Sequence, residues 1–125
     1  MTVTASGLKI KKLANGSGPQ VELGDLIGVR FKGNYGTYEF DNIFNTAEPY
    51  YTRAGVGTLV KGVEEALLMM KVGDKWLLTC PADLAFGNKG RPPSPGRPSR
   101  IPPGAELEYL VELVALPGKE EDMLN

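Results

Sequence analysis

Apolar residues in this chain alternate with polar ones along most of its length and follow a helical step in a single window, and that contrast limits the fold more than any other feature. From Leu107 to Leu116 apolar side chains fall at 107, 109, 111, 113 and 115, against Glu108, Leu110, Glu112, Val114 and Leu116. Asp25 to Lys32 alternates too, with Ile27, Val29 and Phe31 on one face and Leu26, Gly28, Arg30 and Lys32 on the other. A period of two is that of a strand with one buried face. Val3 to Leu13 reads as a further strand, and Trp76 to Cys80 as a short apolar one closed by Pro81. The cluster Gly33-Asn34-Tyr35-Gly36 turns the chain, so Thr37 to Asp41 is expected to pair with Asp25 to Lys32. Only between Val60 and Met70 does the period change: Val60, Val63, Leu67 and Met70 recur at three- and four-residue steps, the apolar stripe of one helix. Many strands and one short helix predict an α+β fold on an antiparallel sheet.

Composition narrows the chemistry. The 125 residues suit one domain, expected to span 1–125 with a core of about 7–116, and 42% of them are hydrophobic. Fourteen basic residues against fifteen acidic ones leave a net charge of -1, which argues against a general nucleic-acid binder, since that role needs a basic excess to release counterions. Histidine is absent, which removes the commonest general base and metal ligand. The lone cysteine, Cys80, excludes an intramolecular disulfide and every zinc motif built on paired cysteines, and it reads as a small buried hydrophobe. No apolar run approaches the ~20 residues of a membrane span. The start, Met1 to Gly7, is too short and polar for a secretory signal. No metal, cofactor or membrane span is expected, and a monomer is the default.

Two segments stand apart. From Asn88 to Arg100 the chain carries Lys89, Arg91, Arg97 and Arg100 with no acid, interleaved with Pro92, Pro93, Pro95 and Pro98. Proline blocks both helix and ladder there, so a stiff, basic, exposed loop is expected, able to shade a neighbouring site or dock a partner protein. From Lys119 to Asn125 the tail is short, mostly acidic and expected to fray.

From about Gly7 to Leu116 the chain resembles the FKBP family, on landmarks that come in order. They are Gly16-Ser17-Gly18-Pro19, Gly24-Asp25, Val29-Arg30-Phe31-Lys32-Gly33, Phe40-Asp41, Pro49-Tyr50, the run from Gly57 to Leu67, Met70-Lys71-Val72-Gly73, Leu84-Ala85-Phe86-Gly87, Ile101-Pro102-Pro103 and the run from Leu107 to Leu113. The resemblance implies a five-stranded antiparallel sheet curled around one short helix, with an apolar pocket between them. It implies peptidyl-prolyl cis-trans isomerisation of proline-containing polypeptides without a cofactor. Carried over position by position, Phe40, Asp41, Phe86 and Tyr109 hold the catalytic places. Phe31, Tyr50, Leu59, Val60, Val63 and Ile101 hold the substrate-binding ones, with the Val60 N–H implied as donor to a ligand carbonyl. From the residues alone, strand aromatics are more often core, and Asp41 is also a natural turn residue.

The chain departs from the family's pattern where the pocket is formed. Val63 stands where active members commonly carry tryptophan, and the chain's tryptophan is Trp76. Phe86 and Phe31 replace tyrosines, each without a hydroxyl to donate, and Thr46 stands where an arginine often pairs near the aspartate. The expected isomerase activity is therefore weak, and a non-catalytic binding or assembly subunit of a photosynthetic membrane complex is the other reading. The Ser94-Pro95-Gly96-Arg97-Pro98 insertion resembles members found in plant and algal chloroplasts, which implies the thylakoid lumen as location, with the cytoplasm as alternative.

Overall fold

The computed structural model describes residues 1–93 and 100–119. Residues 94–99 of the basic loop and 120–125 of the acidic tail lie outside the described residues, and with them the expectations of a stiff proline-rich insertion and a frayed end. The strands are β1 (Thr2–Val3), β2 (Lys9–Ala14), β3 (Leu26–Tyr35), β4 (Tyr38–Asn42), β5 (Tyr50–Arg53), β6 (Lys75–Cys80) and β7 (Leu107–Ala115). The helix α1 (Lys61–Leu67) follows β5, and one 3-10 turn, Ala82–Leu84, follows β6. The strands form one antiparallel sheet in the order β1-β2-β6-β7-β3-β4, with β5 pairing the first half of β3.

The sheet thus has seven strands among the described residues where five were expected. One addition comes from splitting the expected strand from Val3 to Leu13. Gly7, at φ +96°, turns the chain, and the Thr4 N–H donates to the Leu8 carbonyl at 2.9 Å. The other is β5, whose four residues carry little alternation and leave Tyr50 and Tyr51 exposed, so no two-residue period marks it. β3 also runs on through Asn34 and Tyr35, residues expected in the turn; the reversal falls at Gly36 and Thr37 instead, with Gly36 at φ +60°.

Elsewhere the periods hold. Ile27, Val29 and Phe31 of β3, Trp76, Leu78 and Cys80 of β6, and Leu107, Tyr109, Val111 and Leu113 of β7 are buried on one face of the sheet. Val63, Ala66 and Leu67 of α1 pack onto the same core. The helix is shorter than the apolar stripe. Val60 is its N-cap, extended at ψ 152°, and beyond Leu67 the chain tightens, with the Met70 N–H donating to the Leu67 carbonyl at 3.2 Å. Met70 still ends fully buried, as the stripe requires.

A buried carboxylate closes the end of the sheet opposite the helix start. Asp74 accepts from the Gly16 N–H at 2.7 Å and from the Lys71 N–H at 2.9 Å. Two chain segments can approach this closely because both carry glycine. A methyl on Gly16 would fall 2.1 Å from the Val72 carbonyl oxygen, and Gly73 sits at φ +99° against the Gly16 Cα.

No helix among the described residues is long and apolar enough to cross a membrane. Cys80 is fully buried. Burial, reinforced by the Glu65 and Glu106 carboxylates, pushes its thiol up to about 12. A group whose folded pKa is raised adds stability below its unfolded pKa and loses it as pH rises through the folded one. Between pH 9 and pH 12 the parent should therefore lose unfolding free energy faster than Cys80→Ala. Urea denaturation of both proteins at pH 8 and pH 10.5 checks this, and parallel losses would refute it.

Candidate functional site

Strand register brings the first wall together. Gly33 of β3 pairs with Tyr109 of β7 on one side and with Asp41 of β4 on the other. Paired residues share a face of the sheet, so Tyr109 and Asp41 flank a glycine on the same side, with Phe31, two residues earlier, on that side as well. Strict alternation would send Phe40 to the opposite face from Asp41. The ladder slips there, however: Gly33 pairs with Asp41 and the next residue, Asn34, pairs with Glu39. Phe40 is the extra residue of a β-bulge, a device that re-aims side chains beside functional sites. Its ring meets Tyr109 edge-on, at 5.8 Å between centroids and 85° between planes. Gly33 makes room for the pair: a methyl there would stand 2.7 Å from the Phe40 ring and 3.0 Å from the Tyr109 ring.

The second wall is a loop tied down from inside the protein. Glu64, in the first turn of α1, is 8% exposed. One of its oxygens, Oε2, accepts from the Gly55 N–H at 2.9 Å, and Oε1 accepts from the Gly57 and Leu59 N–H groups, each at 3.2 Å. Gly55 and Gly57 have φ of +83° and +85°, backbone that few other residues adopt. This clamp presents Thr58, Leu59 and Val60 at the mouth of the site, and Val63 follows one helical turn later at its base.

The third wall is Phe86, presented after the 3-10 turn, where the Gly87 N–H donates back to the Ala82 carbonyl at 2.7 Å. Its ring stands 6.3 Å from that of Phe40, at 70°. Together the walls enclose a cavity of about 110 Å³ lined by Phe31, Asp41, Thr58, Leu59, Val60, Val63, Phe86 and Tyr109. A second, larger depression beside Gly24, Arg53 and Leu116 is ionic: Lys119 lies 2.9 Å from both Glu22 and Asp25 at its edge. The Glu22 N–H and the Lys119 ammonium hold the Asp25 carboxyl below its usual range.

Of the ten residues singled out in the sequence, seven line the cavity: Phe31, Asp41, Leu59, Val60, Val63, Phe86 and Tyr109. Phe40 stands behind the wall, its ring against Phe86 and Tyr109. Tyr50 is 39% exposed and reaches the site only through an edge contact with Phe31, at 6.1 Å between centroids. Ile101 is buried at 1% and lines the groove next to the cavity. Two further residues at the site were not among those singled out in the sequence. Thr58 is an ordinary loop residue, and Arg91 was read only as part of a basic loop. Its guanidinium lies 5.0 Å from the Phe40 ring centroid and 5.4 Å from that of Phe86. Arg91 also pairs with Ile101 in a β-bridge, so ladder bonding does reach into the loop expected to exclude it. Arg30 donates from Nη1 to the carbonyls of Ile43, Phe44 and Thr46, which holds the segment after β4. Trp76 is buried in β6, beyond β7 from Phe31, and is not a lining residue. Among the described residues no cluster of acidic or cysteine side chains could hold a metal.

A family model described as FKBP-type peptidyl-prolyl cis-trans isomerase matches residues 18–114. The chain is 40% identical over 111 residues to FK506-binding protein 4 of Dictyostelium discoideum, covering 88% of the chain and 28% of that protein. It is 34% identical over 123 residues to the chloroplastic peptidyl-prolyl cis-trans isomerase FKBP16-3 of Arabidopsis thaliana, covering 98% of the chain and 54% of the relative. The chain thus spans about half of one of these relatives and less than a third of the other. The crystal structure of AtFKBP13 superposes with a TM-score of 0.81 at 31% identity, over 92% of this chain and 97% of that one.

Two substitutions test how the site is held. Glu64→Gln should lower stability by about 1.5–3 kcal/mol, the usual worth of a hydrogen bond to a charged group. In a urea melt that is a lower midpoint with the slope unchanged. Gly33→Ala should cost about 1–3 kcal/mol by overpacking and displace the Phe40 and Tyr109 rings. Shifted aromatic proton resonances for those two residues, with the remaining core resonances preserved, are the expected signature; unmoved rings would refute the close-packing argument.

Proposed function

The chain belongs to the FKBP-type peptidyl-prolyl cis-trans isomerase family, and on that premise we propose that its aromatic cavity binds X-Pro segments of polypeptides and speeds their cis-trans interconversion. The observation that carries this reading is the cavity itself: Phe31, Phe86 and Tyr109 around a Val63 base, with one carboxylate, Asp41, on the wall.

The chemistry asks for no nucleophile, base or metal. Rotating the X-Pro bond breaks amide resonance, at a barrier of ~18–20 kcal/mol, and uncatalysed exchange takes tens to hundreds of seconds. A catalyst need only bind the twisted amide better than the planar one. Twisting removes conjugation, so the carbonyl carries less charge and tolerates an apolar, water-free seat better than the planar form does. Phe31, Phe86 and Tyr109 grip the pyrrolidine ring, and Phe40 backs the latter two. Val60 is the N-cap of α1: its carbonyl accepts from the Glu64 N–H at 3.0 Å, while its own N–H precedes the helical ladder, and the family resemblance implies that it donates to a substrate carbonyl. Asp41 supplies a fixed negative charge beside the rotating group, which biases its dipole.

Val63 and Phe86 favour a second reading, a proline-binding domain with little turnover. A valine base offers the ring less surface than a larger aromatic, and Phe86 has no hydroxyl to donate. The chloroplastic relative supports a plastid location, with the thylakoid lumen as the finer proposal from the resemblance.

Isomerisation of a short X-Pro peptide, followed by NMR exchange spectroscopy, separates the two readings. The parent is expected to accelerate exchange, and Asp41→Ala to lower that acceleration by about tenfold, or ~1.4 kcal/mol in the transition state. A folded parent that binds the peptide without accelerating it would favour the second reading. A folded parent that neither binds nor accelerates would sink both.

A further inference from the structure

Arg91 takes no part in the isomerisation described above, yet it is held with care. Its N–H donates to the Ile101 carbonyl at 2.8 Å, and the Ile101 N–H donates back at 2.9 Å. Gly90 permits this bridge, since a methyl there would fall 2.2 Å from the Ile101 carbonyl oxygen. The guanidinium is thereby laid against the rings of Phe86, which lines the cavity, and of Phe40 behind it.

All three guanidinium nitrogens are covered, and none has a hydrogen-bond acceptor among the described residues. Among the described residues, the Phe40 and Phe86 ring faces are what the guanidinium meets. Buried donors without acceptors are rare in folded proteins, and a position that keeps them suggests a partner that arrives from outside. The same side chain lines a groove of about 260 Å³ adjoining the cavity, together with Lys89, Pro92, Arg100, Ile101 and Pro103. Among the described residues, three cations and no acid line it.

We propose that this groove is a subsite for a carboxylate side chain, aspartate or glutamate, within two residues of the proline in a bound polypeptide. The proposal rests on the isomerase reading and adds a substrate class to it. The proline ring fills the aromatic cavity. Neighbouring residues are about 3.8 Å apart along the chain, so one or two steps carry it across the Phe40 and Phe86 wall. Lys89 and Arg100, both exposed, draw the carboxylate in, and the Arg91 side chain, whose nitrogens are covered in the free domain, turns out from the rings to offer its paired donors to the two carboxylate oxygens. Nucleic acid is the poorer candidate for this basic groove, given the overall charge of -1.

The test is a series of fluorescent X-Pro peptides in which one glutamate, or glutamine at the same position, is moved through the two residues on either side of proline. Binding by anisotropy and exchange by NMR are both read. At one position or more, the parent should prefer glutamate by about tenfold, and the preference should shrink as salt is raised. The ratio should collapse towards one in Arg91→Met and be partly kept in Arg91→Lys, which preserves charge without the fork. Because the readout is a ratio within each protein, a change in the pocket that affects both peptides alike cancels. Equal handling of glutamate and glutamine at every position, with proline peptides still bound, would overturn the subsite and leave the isomerase reading standing. Failure to bind any of the peptides would overturn both.

Discussion

The Glu64 carboxylate holds one whole side of the site in shape. A loop that turns through two glycines at positive φ has many conformations open to it, and its N–H groups point towards α1, where they are partly buried. Three of them find their acceptor in a single side chain on the first turn of α1. Leaving such donors unmet would cost about 1–3 kcal/mol each, so the carboxylate selects the one loop path that presents Thr58, Leu59 and Val60 to the cavity. The helix is therefore more than the core element its apolar stripe announces. Its buried stripe locks it to the sheet, and its single buried acid locks the loop to the helix.

The opposite wall is governed by sterics. Phe40 and Asp41 are adjacent in the chain and serve the same cavity, which a regular strand forbids. The bulge in β4 adds one residue opposite Gly33 and brings both side chains to one side. Gly33 completes the arrangement by leaving out the methyl that would otherwise occupy the space of the Phe40 and Tyr109 rings. A glycine and a slipped register thus do together what no single side chain could. They let two edge-on aromatic rings stand on a sheet surface at the spacing that such pairs prefer.

The cavity joins two kinds of environment. Its interior is aromatic and aliphatic, with one acid on the wall, which suits a ring that carries no charge. Just outside lies a cation braced on the same two rings, with more basic side chains beyond it. Phe86 and Phe40 thereby touch both regions: Phe86 lines the cavity with Phe40 behind it, and both rings face the charge.

Local pattern was enough to read the antiparallel α+β architecture. Strand faces such as Ile27-Val29-Phe31 and Leu107-Tyr109-Val111-Leu113, and the stripe Val63-Leu67-Met70, are dictated by side-chain period alone. The ordered landmarks then pointed to the family and to seven of the lining residues. What the sequence did not carry depends on contacts between distant segments. The strand Tyr50–Arg53 forms because β3 offers it an edge, although its own residues barely alternate. Thr58 enters the site because Glu64 holds its loop, and Arg91 because a bridge to Ile101 turns it onto two rings. Period and composition act over a few residues, so they determine elements and their buried faces. Register, bulge and the pairing of a buried charge with its acceptors join residues far apart in the chain, and these only the tertiary structure decided.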